Sequence, residues 1–248
     1  MKEKNKSGRL IAVLMLVYIC VPVFSKLVSN PKVEDVSKPV DIQIVLFAQY
    51  PKSLLPELQR MQSEEWYDFY PDTATGEYYL QQADIHAEID SYNECWDDST
   101  ITLCSARNSL FLIRGLKPDG LSVKTIYLPE NGILTERNQS SFCFGGREYA
   151  FNIKVREGSP IWAEKIEVYF GEKDSESQQW VTTLAHIEDT GKAQVLWLGD
   201  LDRDGKPDFI LDTSDLYEEV GVALYLSSAA ENGEKAGLAA TASYSTDC

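Results

Sequence analysis

Gly199-Asp200-Leu201-Asp202-Arg203-Asp204-Gly205-Lys206-Pro207-Asp208 is the stretch on which the reading of this chain turns. Four aspartates stand at relative positions 1, 3, 5 and 9, with glycine at position 6. Alternate side chains of a tightly wound loop converge on one point, and the glycine takes a turn that a Cβ would obstruct. A hard dication takes six to eight oxygen ligands, and carboxylates supply them. Asp200, Asp202, Asp204 and Asp208 are therefore the expected side-chain ligands of Ca²⁺, with the Lys206 carbonyl as a backbone ligand at position 7.

What flanks the loop decides the fold class. An EF-hand would carry Glu at position 12 between two helices, but Leu211 stands there. Gln194 to Leu198 leads in and Phe209-Ile210-Leu211 leads out, both as short apolar runs of strand character. Pro207 opposes a helix through the loop. The expected unit is strand–loop–strand.

These residues resemble the FG-GAP or VCBS-type calcium loop, Asp-x-Asp-x-Asp-Gly-x-x-Asp followed by an apolar strand. The resemblance covers Leu196 to Thr213. The longer tail, from Trp197-Leu198-Gly199-Asp200 to Leu224-Tyr225-Leu226-Ser227-Ser228-Ala229, is similar to a group of secreted bacterial proteins that carry one such loop. The resemblance implies Ca²⁺ and brings no activity with it. A propeller would repeat the motif, and this chain has it once.

Working outward, the alternation of Phe151, Ile153 and Val155 and of Ile166, Val168 and Phe170 reads as two strands. Asp41 to Tyr50, Trp180 to His186, Val222 to Leu226 and Ala239 to Tyr244 continue the series. Leu110–Leu116 and Leu121–Leu128 flank Lys117-Pro118-Asp119-Gly120, which predicts a hairpin. Leu54, Leu55, Leu58 and Met61 lie at helical spacing, with Ser53 as the expected cap. The class expected is mostly β with antiparallel sheets, sandwich-like or partial-propeller-like, and one short helix near the N-terminus.

Residues 1–25 have the pattern of an export signal. Lys2, Lys4, Lys6 and Arg9 precede an apolar run from Leu10 to Phe24, and Ser25 follows. The run is short of the roughly 20 residues of a membrane-spanning helix. Membrane association is expected only if this segment is retained as an anchor. Cys20 does not suit a lipoprotein signal, because Ile19 precedes it. Residues 26–40 read as a polar linker, and 41–248 as one β-rich domain. The expected location is periplasmic or extracellular.

The chain has 23 Lys and Arg against 39 Asp and Glu, a net charge of −16. Such a protein is repelled by nucleic acid and by anionic membrane. Cys95, Cys104, Cys143 and Cys248 form an even set, as suits an oxidising compartment. The favoured pairing joins Cys95 to Cys104 and Cys143 to Cys248, although spacing alone leaves the connectivity open. No Cys-x-x-Cys pair gives zinc spacing.

Catalytic signatures are sparse. The two histidines, His86 and His186, form no His-Glu-x-x-His, and no Gly-x-Ser-x-Gly occurs. The stretch from Glu64 to Asp98 mixes acids with Trp66, Tyr67, Phe69, Tyr70, Tyr78, Tyr79, Tyr92 and Trp96. It reads first as sheet with aromatic residues inward and acids outward. The expected function is a non-catalytic, exported, calcium-binding module for a protein or an envelope glycan, including an inhibitor-like role against a basic enzyme. The alternative is a secreted glycan hydrolase with two carboxylates of this stretch as acid and base.

Overall fold

The computed structural model describes residues 41–93, 98–117, 120, 122–136, 139–156, 165–175, 178–185, 193–214, 219–231 and 233–245. The expected signal, 1–25, and linker, 26–40, lie outside them. Sixteen strands occur among the described residues: β1 (Gln43–Leu46), β2 (Gln49–Pro51), β3 (Tyr67–Pro71), β4 (Tyr78–Gln82), β5 (Ile85–Asn93), β6 (Asp98–Ser105), β7 (Phe111–Arg114), β8 (Ser122–Thr125), β9 (Ser140–Phe144), β10 (Arg147–Arg156), β11 (Lys165–Glu172), β12 (Gln179–Ala185), β13 (Val195–Asp200), β14 (Asp208–Asp212), β15 (Glu219–Leu226) and β16 (Gly237–Ser245). One α-helix, α1 (Leu55–Met61), joins them.

The paired strands run antiparallel. Nine form one sheet in the order β1-β7-β3-β4-β8-β13-β14-β15-β16. Its two end strands, β1 and β16, lie beside each other, so the sheet curls nearly into a barrel. The mostly β, antiparallel class read from the sequence is the class observed. Two smaller sheets, β12-β11-β10-β9 and β2-β6-β5, complete the fold.

The apolar runs show how the layers fit. In β14, Ile210 faces the inside of the curled sheet with Phe69, Phe111, Trp197 and Leu224. Phe209 and Leu211 face the other way, against Phe142, Phe151, Val168 and Phe170 of the four-stranded sheet. A strand covered on both faces has no polar side, which is why Phe209-Ile210-Leu211 is continuous rather than alternating. The same holds for β7, where Phe111 and Ile113 enter the first core and Leu112 enters a third. That third core packs Leu58 and Met61 of α1 against Ile85, Ile101 and Leu103. Burying one such aliphatic side chain stabilises by about 1.5–3 kcal/mol.

Two expectations are corrected. β7 and β8 do not form a hairpin: β7 lies between β1 and β3, and β8 between β4 and β13. The β3–β4 hairpin is inserted between them, so a local turn signal joins strands that pair elsewhere. Ser53 does not cap α1. It falls in a 3₁₀ turn, Lys52–Leu54, and Leu54 occupies the cap position with Pro56 in the first turn.

Candidate metal centre

Strands β13 and β14 pair with Gly199 opposite Asp208, so Asp200 to Pro207 is the loop of a hairpin. Glycine is needed at 199 because a Cβ there would stand 2.0 Å from the Lys124 carbonyl oxygen and 2.4 Å from Cζ2 of Trp197. Within the loop Gly205 has φ +82°, as the sequence led us to expect. Arg203 also adopts a left-handed conformation, with φ 64°. The two reversals wind the loop, and its own carboxylates hold the winding. The Asp204 N–H donates to Asp202 Oδ1 at 3.2 Å, the Gly205 N–H to Asp200 Oδ2 at 3.2 Å, and the Lys206 N–H to Asp204 Oδ1 at 2.8 Å.

Asp200, Asp202 and Asp208 converge. Each offers one oxygen, and these atoms lie within 4.8 Å of one another. Asp204 is engaged elsewhere, with Oδ2 at 3.4 Å from the ammonium of Lys206. Lys206 meets the Asp204 carboxylate through both its N–H and its side chain. The geometry assembles three of the four expected aspartates.

Asp208 is fully buried and differs from the others. Its Oδ2 accepts the N–H groups of Leu201 at 2.7 Å and Asp202 at 3.3 Å, and its Oδ1 accepts that of Ser227 at 2.7 Å. Burial, reinforced by the Asp202 charge, pushes its carboxyl up to about 7 against these three donors. Burial also raises Asp200, with the charges of Asp204 and Asp202 acting the same way; the Gly205 N–H and Lys124 oppose the rise. Two oxygens, Asp200 Oδ1 and Asp202 Oδ2, are buried and accept no hydrogen bond from the protein. Buried carboxylate oxygens without donors are costly. An all-oxygen anionic donor set fits a hard dication.

Sequence reasoning missed Lys124 and Ser227. Lys124 lies opposite Asp200 in the β8–β13 pairing, with its ammonium 3.8 Å from the centroid of the Phe144 ring. Both residues reach the loop through strand pairing over long sequence separations, which no local motif encodes.

Several of the described acids between Glu64 and Asp98 have structural partners. Glu64 accepts from Arg114 at 2.8 Å. Asp72 accepts the N–H groups of Thr75 and Ala74, which hold its carboxyl below the usual range. Asp68 is fully buried and bonded to Ser105, Arg107 and Ser109. The acids are not uniformly outward, although Trp66, Tyr67 and Phe69 are inward as expected. His86 stands 3.5 Å from Asp84 on the surface, opposite Cys104 across the β5–β6 pair. His186 lies outside the described residues.

Cys104 and Cys143 are free thiols, and Cys95 and Cys248 lie outside the described residues. Each of the two favoured pairings, Cys95 with Cys104 and Cys143 with Cys248, therefore includes one cysteine outside the described residues.

Comparison of the chain with protein-family models, curated proteins and solved structures found no match. The case for a metal centre therefore stands on the carboxylate geometry and the loop motif.

Proposed function

We propose that the protein is an exported, non-catalytic β module whose β13–β14 loop binds Ca²⁺ as a structural ion. One observation carries the reading: three carboxylates converge, and two of their buried oxygens accept no hydrogen bond. A bound dication would neutralise the convergent charge and supply the missing partner to both oxygens. It would tie the end of β13 to the start of β14, and through Asp208 and Ser227 to the end of β15. Binding free energy then adds to folding free energy. Export is inferred from the basic and apolar pattern of residues 1–25. The module's task is recognition of a protein or glycan outside the cytoplasm.

Thermal unfolding in Ca²⁺, in Mg²⁺ and in EGTA tests the metal. The melting temperature rises in Ca²⁺ over EGTA, and Mg²⁺ gives a smaller rise because it demands stricter octahedral geometry. Equal melting temperatures in the three conditions would reject the calcium reading.

A further inference from the structure

The four-stranded sheet buries one face and presents the other to solvent. Its pairing sets Asn152, Tyr169 and Trp180 side by side in one row of that outer face. Lys154, Glu167 and Thr183 form the next row, and Arg156 and Lys165 follow. Trp180 is 55% exposed, unusual for an indole in a strand. The ring is held in place by its Nε1–H, which donates to Thr183 Oγ1 at 3.3 Å. Tyr169 is fixed as well: its hydroxyl donates to Glu167 Oε2 at 2.7 Å, and the Lys154 ammonium lies 4.4 Å from its ring centroid. On the far side of the aromatic pair Ala150 and Gly171 are buried, with Gln178 over Gly171, and the Asn152 amide donates to the Gln178 amide oxygen.

Charge on this face runs against the charge of the chain. Arg156 closes on Glu167 at 2.6 Å and Lys173 on Glu148 at 3.2 Å. Among the described residues of the face, Lys154 and Lys165 are then in excess, in a protein of net charge −16. A basic face on an acidic protein favours an anionic partner. The preset aromatic planes and amides say which kind. A pyranose ring has an apolar face of C–H bonds and a rim of hydroxyls, so it stacks on an exposed ring and bonds to amides alongside.

We propose that the outer face of β10–β12 binds an acidic saccharide chain, with Trp180 and Tyr169 as stacking platforms and Lys154 and Lys165 as partners of the sugar carboxylates. This names a partner for the module proposed above, but its residues are remote in sequence from the calcium loop and its geometry does not depend on the ion.

The probe is a short oligogalacturonate, titrated calorimetrically into the full mature protein, with its neutral methyl ester and a polyglutamate of similar charge as comparators. The oligogalacturonate is expected to bind, and Trp180→Ala to weaken it about tenfold or more. Lys154→Ala/Lys165→Ala is expected to weaken it about fivefold and flatten its salt dependence. The methyl ester and the polyglutamate bind more weakly than the oligogalacturonate. Trp180→Ala keeps its Ca²⁺-dependent melting shift, which separates failure of this face from failure of the metal reading. No binding by the wild-type protein, unchanged binding in Trp180→Ala, or equal binding of polyglutamate would each overturn the proposal, the last by showing that charge alone is read.

Discussion

The Oδ1 atom of Asp208 accepts the backbone N–H of Ser227 at 2.7 Å, joining the last aspartate of the loop to the residue that follows β15. The same carboxylate holds the N–H groups of Leu201 and Asp202 through Oδ2. One side chain therefore fixes the entry to the loop and the exit of a neighbouring strand. Replacing Asp208 by alanine leaves three donors unmatched, two of them in buried residues, Leu201 and Ser227. A loss of about 3 kcal/mol is expected. Urea unfolding in EGTA reads it directly, and a change below about 1 kcal/mol would show that water or relaxation replaces the carboxylate.

The pH dependence of the metal-free protein follows from the same group. Asp208 titrates at about 7 when folded, because of burial and then the Asp202 charge. In an unfolded chain an aspartate titrates near 3.9. Between those values the folded protein holds a proton that the unfolded chain has released. Stability from this group is thus full below about pH 4 and falls as pH rises towards about 7. Ca²⁺ acts in the opposite sense, because its ligands must be ionised. In EGTA the melting curve of the wild type therefore contains a component that favours lower pH between these limits, and Asp208→Asn removes it. With saturating Ca²⁺ the wild type gains most at and above pH 7. Identical pH profiles of wild type and Asp208→Asn in EGTA would contradict the assignment.

The four loop aspartates are not equivalent. Asp202 belongs to the convergent cluster and has one buried oxygen without a donor, whereas Asp204 lies against Lys206. Asp202→Asn is expected to weaken Ca²⁺ about tenfold or more, since a ligand charge is lost at the ion. Asp204→Asn is expected to weaken it by about threefold or less, through longer-range charge alone. Calorimetric titration of both variants decides the order. Equal losses would mean that Asp204 swings into the coordination shell on binding, away from Lys206.

These cases show what the chain discloses when read alone. The loop spacing is local, so its aspartates and the Gly205 turn were legible. Alternation at Phe151, Ile153 and Val155 was legible for the same reason. Pairing is not local. Gly120 marks a turn, but only the intervening β3–β4 hairpin explains why β7 and β8 part company. Asp68 reads as one of many surface acids, because Arg107 stands 39 positions away in sequence. Lys124 and the end of β15 become neighbours of the loop only when the nine-stranded sheet has formed.

The two described cysteines are expected to differ in reactivity. Cys104 pairs across to His86, far along the hairpin from its turn end. Burial, with Glu88 and Asp90 nearby, also pushes the Cys104 thiol up, which slows its reaction as a thiolate. Timed alkylation of the native protein, read by peptide mapping, compares it with Cys143. Cys143, exposed on the edge strand β9, is expected to alkylate faster than Cys104. Alkylation of Cys104 as fast as that of Cys143 would contradict the burial of its thiol.

Asp68 joins two sheets. It projects from β3 of the nine-stranded sheet, and its partners lie at the end of β6 and just beyond it: Ser105 Oγ at 2.7 Å, Arg107 at 2.9 Å and Ser109 Oγ at 2.8 Å. Arg107 also donates to the Gln82 carbonyl at 2.9 Å and lies over the Tyr70 ring. A buried carboxylate stripped of its cation is strongly destabilising, so Arg107→Ala is expected to cost about 3 kcal/mol. The two serine hydroxyls remain as donors and keep the cost from rising further. Arg107→Lys recovers only part, since an ammonium on a flexible stem lacks the guanidinium's planar fork and its stacking on Tyr70. Asp68→Asn/Arg107→Ala removes the unpaired charge and is expected to be less destabilising than Arg107→Ala alone. Denaturant unfolding of the three variants measures that order. If the double variant proved the least stable, Asp68 would be held mainly by its serines, and the arginine would act through packing rather than charge.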